Sequence, residues 1–198
     1  MRSAWIPALR ATLVTLVLTG LLYPLAVTAV AQALFPRSAN GSMVEDDRGS
    51  VVGSELLAQH FGGAGYFESR PSAAGDHGYD ALSSGGSNWG VTSAKLKDRL
   101  AADTIRLRAA NPLATGPIPD ALLTASGSGL DPHLPPEAID WQVPRIAAAR
   151  GVERSRIDTL VESLREQPTW GVLGEARINV LALNLALDRQ FGRPAAIP

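Results

Sequence analysis

Two short stretches hold most of the groups that could do chemistry. Gly85-Gly-Ser-Asn-Trp-Gly90-Val91-Thr92 departs by one residue from the phosphate-binding loop G-x4-G-K-[ST], and it precedes a predicted helix. Val91 stands where that loop needs the lysine that holds the outer phosphates. Without that charge, Ser84, Gly85, Gly86, Ser87 and Asn88 offer only a run of backbone N–H groups. Such a run can form a shallow nest for an anion or a partner, and a plain glycine turn is the simpler reading. Ser126-Gly-Ser-Gly-Leu-Asp131-Pro-His133 gathers hydroxyls, a carboxylate and an imidazole within eight residues. Hydrolase triads draw their members from separated segments, and no G-x-S-x-G elbow surrounds Ser126 or Ser128. His60 and His77 lie too far away to complete a metal set with Asp131 and His133. No catalytic residue and no metal site are expected.

The elements that must position these groups are mostly helical. A helix is predicted from Thr92 to Ala109, capped by Thr92 or Ser93, with Leu96, Leu100 and Leu107 on its buried face. Pro135 and Pro136 open a short helix to about Gln142, and Pro144 opens another that stops at Gly151. Ile157, Leu160, Val161 and Leu164 pattern an amphipathic helix from Glu153 to Gln167. Ile178 to Phe191 is apolar nearly all round and reads as a helix buried in the core, where Asn179 and Asn184 need hydrogen-bond partners. Strands are expected at Ser50–Leu57, Gly65–Glu68 and Ala121–Ala125. Arg145, Arg150, Arg154 and Arg156 read as a solvated helix face, with carboxylates or lipid phosphates as possible contacts.

The first forty residues describe an anchor. From Ala11 to Pro36 only Tyr23 is ionisable, and such a stretch, at about 1.5 Å per helical residue, more than crosses a hydrocarbon core of roughly 30 Å. Ala29-Val30-Ala31 would suit a signal peptidase, but the apolar run before it exceeds a signal core of roughly 7–15 residues, which favours retention. Arg2 and Arg10 face Glu45-Asp46-Asp47 across the span, placing the amino terminus in the cytoplasm. Pro24 removes a backbone donor and predicts a kink, while Gly20 and the threonines favour close packing with neighbouring helices. The expected organisation is a cytoplasmic amino terminus (1–10), a transmembrane helix (11–36), a stalk (37–49) and an extracytoplasmic domain (50–198). The fold class is a helix-rich α+β soluble domain with a small sheet on a single amino-terminal transmembrane helix.

Composition narrows the partners. With a formal net charge of −1 and charged residues at 19%, the chain has no broad basic surface for nucleic acid. The absence of cysteine excludes disulfides, thiolate metal sites and cysteine nucleophiles.

Several unusual strings occur in one order: Leu-Thr-Gly20-Leu-Leu-Tyr23-Pro24, Tyr66-Phe-x-x-Arg70-Pro-Ser-Ala73, Ser83-Ser-Gly-Gly-Ser-Asn88, Thr124-Ala-Ser-Gly-Ser-Gly-Leu-Asp131-Pro-His133, Gln142-Val-Pro-Arg145 and Leu173-Gly-Glu-x-Arg177-x-Asn179. Together they resemble the C subunit of the bacterial Kdp potassium-transporting P-type ATPases, from the membrane helix to the carboxyl terminus. Ala176 departs from an expected proline, and Trp89 from a smaller apolar residue. The resemblance implies a non-catalytic accessory subunit of the inner membrane, needed for assembly and activity, whose partners are a channel-like potassium-translocating subunit, a P-type ATPase subunit and membrane lipid. Gly20, Tyr23, Pro24, Arg70, Ser126, Ser128, Asp131 and His133 are the candidate interface residues.

The resemblance also implies a catalytic chaperone that raises the pump subunit's affinity for ATP through a transient ternary complex. ATP enters as a ligand on that ground alone. A domain outside the membrane cannot touch cytoplasmic ATP, so its effect must travel as a coupling free energy. The alternative is a nucleotide-binding module that contacts ATP directly through the glycine-rich loops. Topology separates the two: protease added outside cells with an opened outer membrane should remove the domain, whereas protection in sealed cells would place it in the cytoplasm.

Overall fold

The computed structural model describes residues 4–46 and 48–194. They form two compact units, Met1–Val44 and Glu45–Pro198.

The first unit is dominated by one continuous helix, Trp5–Leu34, with mean hydropathy 2.1 and no buried side chain, long and apolar enough to cross a membrane. It comprises α1 (Trp5–Val17), a π-helical turn (Leu18–Leu22) and α2 (Tyr23–Leu34). Pro24 explains the widened turn. Its missing N–H leaves the Gly20 carbonyl without its α-helical donor, and Tyr23 donates instead to Leu18 O, five residues back. The hydroxyls of Thr12, Thr15 and Thr19 donate to Ala8 O, Ala11 O and Thr15 O, so the helix satisfies these three hydroxyls with its own carbonyls. Pro36 ends the span and opens α3 (Pro36–Ala39), and the amides of Gln32 and Asn40 pair reciprocally at 3.2 Å across the break. A short strand, β1 (Met43–Glu45), lies at the boundary of the units.

The second unit is helix-rich with very short strands. Its elements are β2 (Val51–Ser54), α4 (Ala94–Ala110), α5 (Asp120–Leu123), β3 (His133–Leu134), α6 (Pro136–Asp140), α7 (Val143–Arg150), α8 (Arg154–Ser163), β4 (Ile178–Asn179) and α9 (Val180–Phe191). β3 and β4 pair antiparallel, His133 opposite Asn179 and Leu134 opposite Ile178. Leu183 and Leu187 of α9 meet Ile139, Val143, Ile146, Ile157 and Val161 from α6, α7 and α8 in one core, joined by Phe67, Leu107 and Leu122. Gly151, left-handed at φ 62°, closes α7 as the sequence predicts. Asn179 caps α9 by accepting from Ala182 N at 3.0 Å.

Several expectations fail, among them the strand expected over Ser50–Leu57, which runs only from Val51 to Ser54 before a turn. Ala121–Ala125 is not a strand, because Pro119 starts a helical turn in which Leu122 N donates to Pro119 O and Thr124 N to Asp120 O. Four apolar residues are too few for periodicity to separate the two states. α8 ends at Ser163 rather than Gln167, because Glu166 pairs instead with Arg177 as an isolated bridge. Gly65–Glu68 joins no ladder: Gly65 lies in a turn that Tyr66 N closes on Gly63 O at 3.3 Å, and Phe67 and Glu68 follow without a strand partner.

Side chains supply the hydrogen bonds that a neighbouring strand would. Asn184 Oδ1 accepts from Phe67 N at 2.9 Å, and its Nδ2 donates to Phe67 O at 3.0 Å. Gln142 repeats the arrangement one residue on, accepting from Glu68 N at 2.8 Å and donating to Glu68 O at 3.3 Å. Arg145 donates to Ala64 O and Arg150 to Gly65 O, both at 2.7 Å. The arginine cluster is thus divided. Arg145 is 7% exposed, and burial holds its guanidinium below its usual pKa. Arg150 is ion-paired with Asp188 at 2.8 Å with its side chain 1% exposed. Only Arg154 and Arg156 lie on the solvated face predicted for all four, Arg154 against Asp158 and Arg156 over the Phe191 ring. Buried guanidinium is stable here because its donors meet backbone carbonyls and side-chain amide oxygens.

Asn184→Ala removes both bonds to Phe67 and leaves a buried N–H and C=O unmatched. The expected loss is about 2–4 kcal/mol, read as a fall of roughly 4–16 °C in the thermal melt of the full chain in detergent. An unchanged melt would show that water replaces the amide without penalty.

Candidate functional site

The segment fixed by Asn184 and Gln142 runs directly into Arg70, and this delivers the guanidinium to the loop before β3. Arg70 Nη1 lies 3.3 Å from Asp131 Oδ2, and Nη2 lies 3.5 Å from Thr124 Oγ1. Asp131 Oδ1 accepts from the backbone N–H of His133 at 3.0 Å. The His133 imidazole, that N–H and Arg70 together hold the Asp131 carboxyl below its ordinary value, against the opposing effect of burial. Ser72 makes the second link: its hydroxyl donates to Gly129 O at 2.6 Å and accepts from Ala74 N and Tyr79 N. Tyr79 donates its hydroxyl to Arg70 O at 2.8 Å, and burial pushes its pKa up to about 12.

Arg70, Asp131 and His133 therefore line one open groove of about 520 Å³, with Asp120, Thr124, Glu175 and Arg177. Glu175 and Arg177 arrive on a hairpin that folds back through the bridges Glu166–Arg177 and Thr169–Leu173, with a 2.9 Å ion pair between Arg177 and Glu166. His133 Nε2 sits 3.9 Å from Glu166 Oε1, between the carboxylates of Asp131 and Glu166. At the hairpin tip Trp170 is 86% exposed with φ 55°, beside exposed Val172 and Leu173. The strings had singled out Arg70, Asp131 and His133, whereas this hairpin went unpredicted. Its signal was the spacing of Gly171 and Gly174 after Pro168.

Ser126 and Ser128 lie in the adjoining loop, away from the imidazole chemistry. Their hydroxyls are 3.4 Å apart, and Ser128 Oγ accepts from Leu130 N at 3.1 Å, which makes it a turn-forming group. Among the described residues no three His, Asp or Glu side chains are grouped to hold a metal ion.

The phosphate-loop-like stretch packs on this serine loop. Gly85 N donates to Ser128 O at 2.9 Å, and the Ser84 hydroxyl donates to the same carbonyl at 2.9 Å. The approach is close enough to exclude a side chain at Gly129 and to crowd one at Gly86. A Cβ on Gly129, whose φ is +68°, would sit 2.6 Å from Gly85 O and 2.8 Å from Ala74 N, and one on Gly86 would meet Gly127 O at 3.0 Å. The Gly85 amide is therefore engaged within the domain. Ser87 precedes Asn88, a left-handed residue at φ 51°, and Trp89 lies under the Arg99 guanidinium at 5.6 Å. Gly20, Tyr23 and Pro24, the remaining candidates, sit in and beside the π-helical turn of the first unit, exposed along the span.

Gly129→Ala should separate the two loops, because backbone atoms on both sides block the new methyl and φ is left-handed. The expected cost is about 1–3 kcal/mol. Gly90→Ala, which meets nothing within 4 Å, is the control. Equal melting temperatures for the two variants would show that the loops do not depend on this approach.

Comparison with known proteins places these features in one family. The family model described as "KdpC: K+-transporting ATPase, c chain" matches residues 5–189. A protein named potassium-transporting ATPase KdpC subunit from Myxococcus xanthus is 60% identical over 199 residues, covering 100% of this chain and 94% of that protein. Proteins of the same name from Nitratidesulfovibrio vulgaris (strain DSM 19637 / Miyazaki F) and Rhodopseudomonas palustris (strain TIE-1) are 52% and 53% identical, each covering 92% of this chain and 94% of theirs. With the long apolar helix, both glycine-serine loops and the Arg70–Asp131 groove all inside the matched residues, the chain belongs to the KdpC family.

Proposed function

We propose that this chain is the accessory subunit of a potassium-transporting P-type ATPase of the bacterial inner membrane. The observation that carries the reading is the match from one end of the chain to the other with proteins named as that subunit. In this role the Trp5–Leu34 helix crosses the membrane with its amino terminus in the cytoplasm, and residues 45–194 form an extracytoplasmic domain. The chain performs no hydrolysis itself. Its partners are a channel-like subunit that carries potassium and a subunit that holds the phosphorylated aspartate.

The Arg70–Asp131–His133 groove and the interlocked glycine-serine loops are the face offered to the channel-like subunit, with Gly20, Tyr23 and Pro24 as the corresponding face of the span. The catalytic-chaperone effect on ATP affinity is then a coupling between sites on opposite sides of the membrane, of the size typical for such couplings, about 1–3 kcal/mol. Two features support indirect action over direct ATP contact: Val91 in place of the phosphate-binding lysine, and the Gly85 N–H already bonded to Ser128 O.

The test compares the purified pump with and without this chain. Its presence should lower the KM for ATP, by roughly five-fold or more if the coupling is typical. A photoreactive ATP analogue should label the pump subunit and leave residues 84–88 unlabelled. Competable labelling of the Ser84–Asn88 peptide would replace the accessory reading with the nucleotide-binding module, and failure to copurify with the other subunits would remove the accessory reading itself.

A further inference from the structure

A second groove, which shares no lining residue with the one around Arg70, lies where the α4–α5 loop meets α6 and α7. It encloses about 450 Å³ and is lined by Pro117, Pro119, Trp141 and Pro144, with Ala114 and Thr115 from the same loop. Prolines give it a rigid apolar wall that loses little conformational entropy when covered. Trp141 is only 6% exposed, and its buried Nε1–H has no acceptor among the described residues. An unmatched buried donor is unfavourable, and here it belongs to a side chain that forms the groove wall.

The rim is acidic. Glu137 and Asp140 stand three residues apart on α6, so they share one face of that helix. Neither carboxylate makes a hydrogen bond or ion pair among the described residues. Arg154, on the same rim, is drawn to Asp158 at 3.4 Å. Burial first, and then the nearby charges of Asp158 and Glu137, raise the pKa of Asp140 against the attraction of Arg165 and Arg154. A cation placed between Glu137 and Asp140 would relieve that repulsion.

We propose that this groove receives an extended polypeptide segment of a partner chain, carrying an arginine or lysine beside an aliphatic side chain. The aliphatic group covers the Trp141–proline wall, the basic group lies between Glu137 and Asp140, and a backbone carbonyl of the segment is the acceptor that the indole N–H lacks. An aromatic and proline wall with a charged rim combines the anchor and the orienting charge found in peptide-recognition grooves. The proposal rests on the reading of the chain as one subunit of a larger assembly, and copurification of the wild-type complex tests that reading separately.

The experiment places a photo-crosslinking amino acid at Thr115 of the full chain, in membranes that contain the whole ATPase, and maps the adduct by mass spectrometry. The expected result is one polypeptide adduct within a few residues of an arginine or lysine. Glu137→Lys with Asp140→Lys should reduce the adduct roughly tenfold, corresponding to about 1.4 kcal/mol of lost attraction. Glu137→Gln with Asp140→Asn should give a smaller loss, and all variants should melt like the wild type because both positions are exposed. A lipid adduct, no adduct, an adduct on a segment without a basic residue, or an adduct indifferent to the charge reversal would overturn the proposal even where copurification succeeds.

Discussion

A segment that belongs to no ladder imposes the main constraint on the second unit. Residues 64–68, with Gly65 and Phe67 buried among them, carry peptide groups outside any ladder, and the molecule matches them with side chains. Asn184 and Gln142 each present both faces of an amide to a single residue, reproducing the donor and acceptor pair of a β-ladder. Arg145 and Arg150 take the carbonyls upstream. Gln142 Oε1 also accepts from Arg145 Nη2 at 3.0 Å, and Arg145 Nε donates to Asn111 Oδ1 at 2.7 Å, so the end of α4 is tied to α7 through the same network. Buried networks of this kind are favourable only when every member is satisfied, which makes the positions of α7 and α9 interdependent.

The loops on the surface inherit their positions from that network. Arg70 and Ser72 emerge from the fixed segment and hold the loop that contains Asp131 and Gly129. That loop in turn accepts the Gly85 N–H and the Ser84 hydroxyl through one carbonyl. Glycine is required at the contact because backbone meets backbone there. Four strings that are far apart in sequence thus form one connected structure, from Gln142 inward to Ser84 outward.

Sequence alone made the punctuated elements legible. Pro144 and Gly151 frame α7 by simple stereochemistry, and the apolar run to Phe191 could only be buried. It also showed that Asn179 and Asn184 would need partners. It could not show which, since the partner of Asn184 lies 117 residues away. Burial of Arg145 and Arg150 was hidden for a related reason: a guanidinium on a helix reads as solvated until the carbonyls that receive it are known. In the groove, Arg70, Asp131 and His133 were legible through family strings. Glu175 and Arg177 were not assigned to it, because only the folded-back hairpin carries them there.

The π-helical turn at Leu18–Leu22 changes what one long apolar helix can present. A turn of this kind accommodates one residue more than an α-helical turn, which offsets the two halves of the helix by about 100°. A stripe begun by Thr12, Thr15 and Thr19 therefore does not continue straight into the half that begins at Tyr23. The one helix therefore presents two differently directed faces, one before and one after the turn, with Pro24 at their junction.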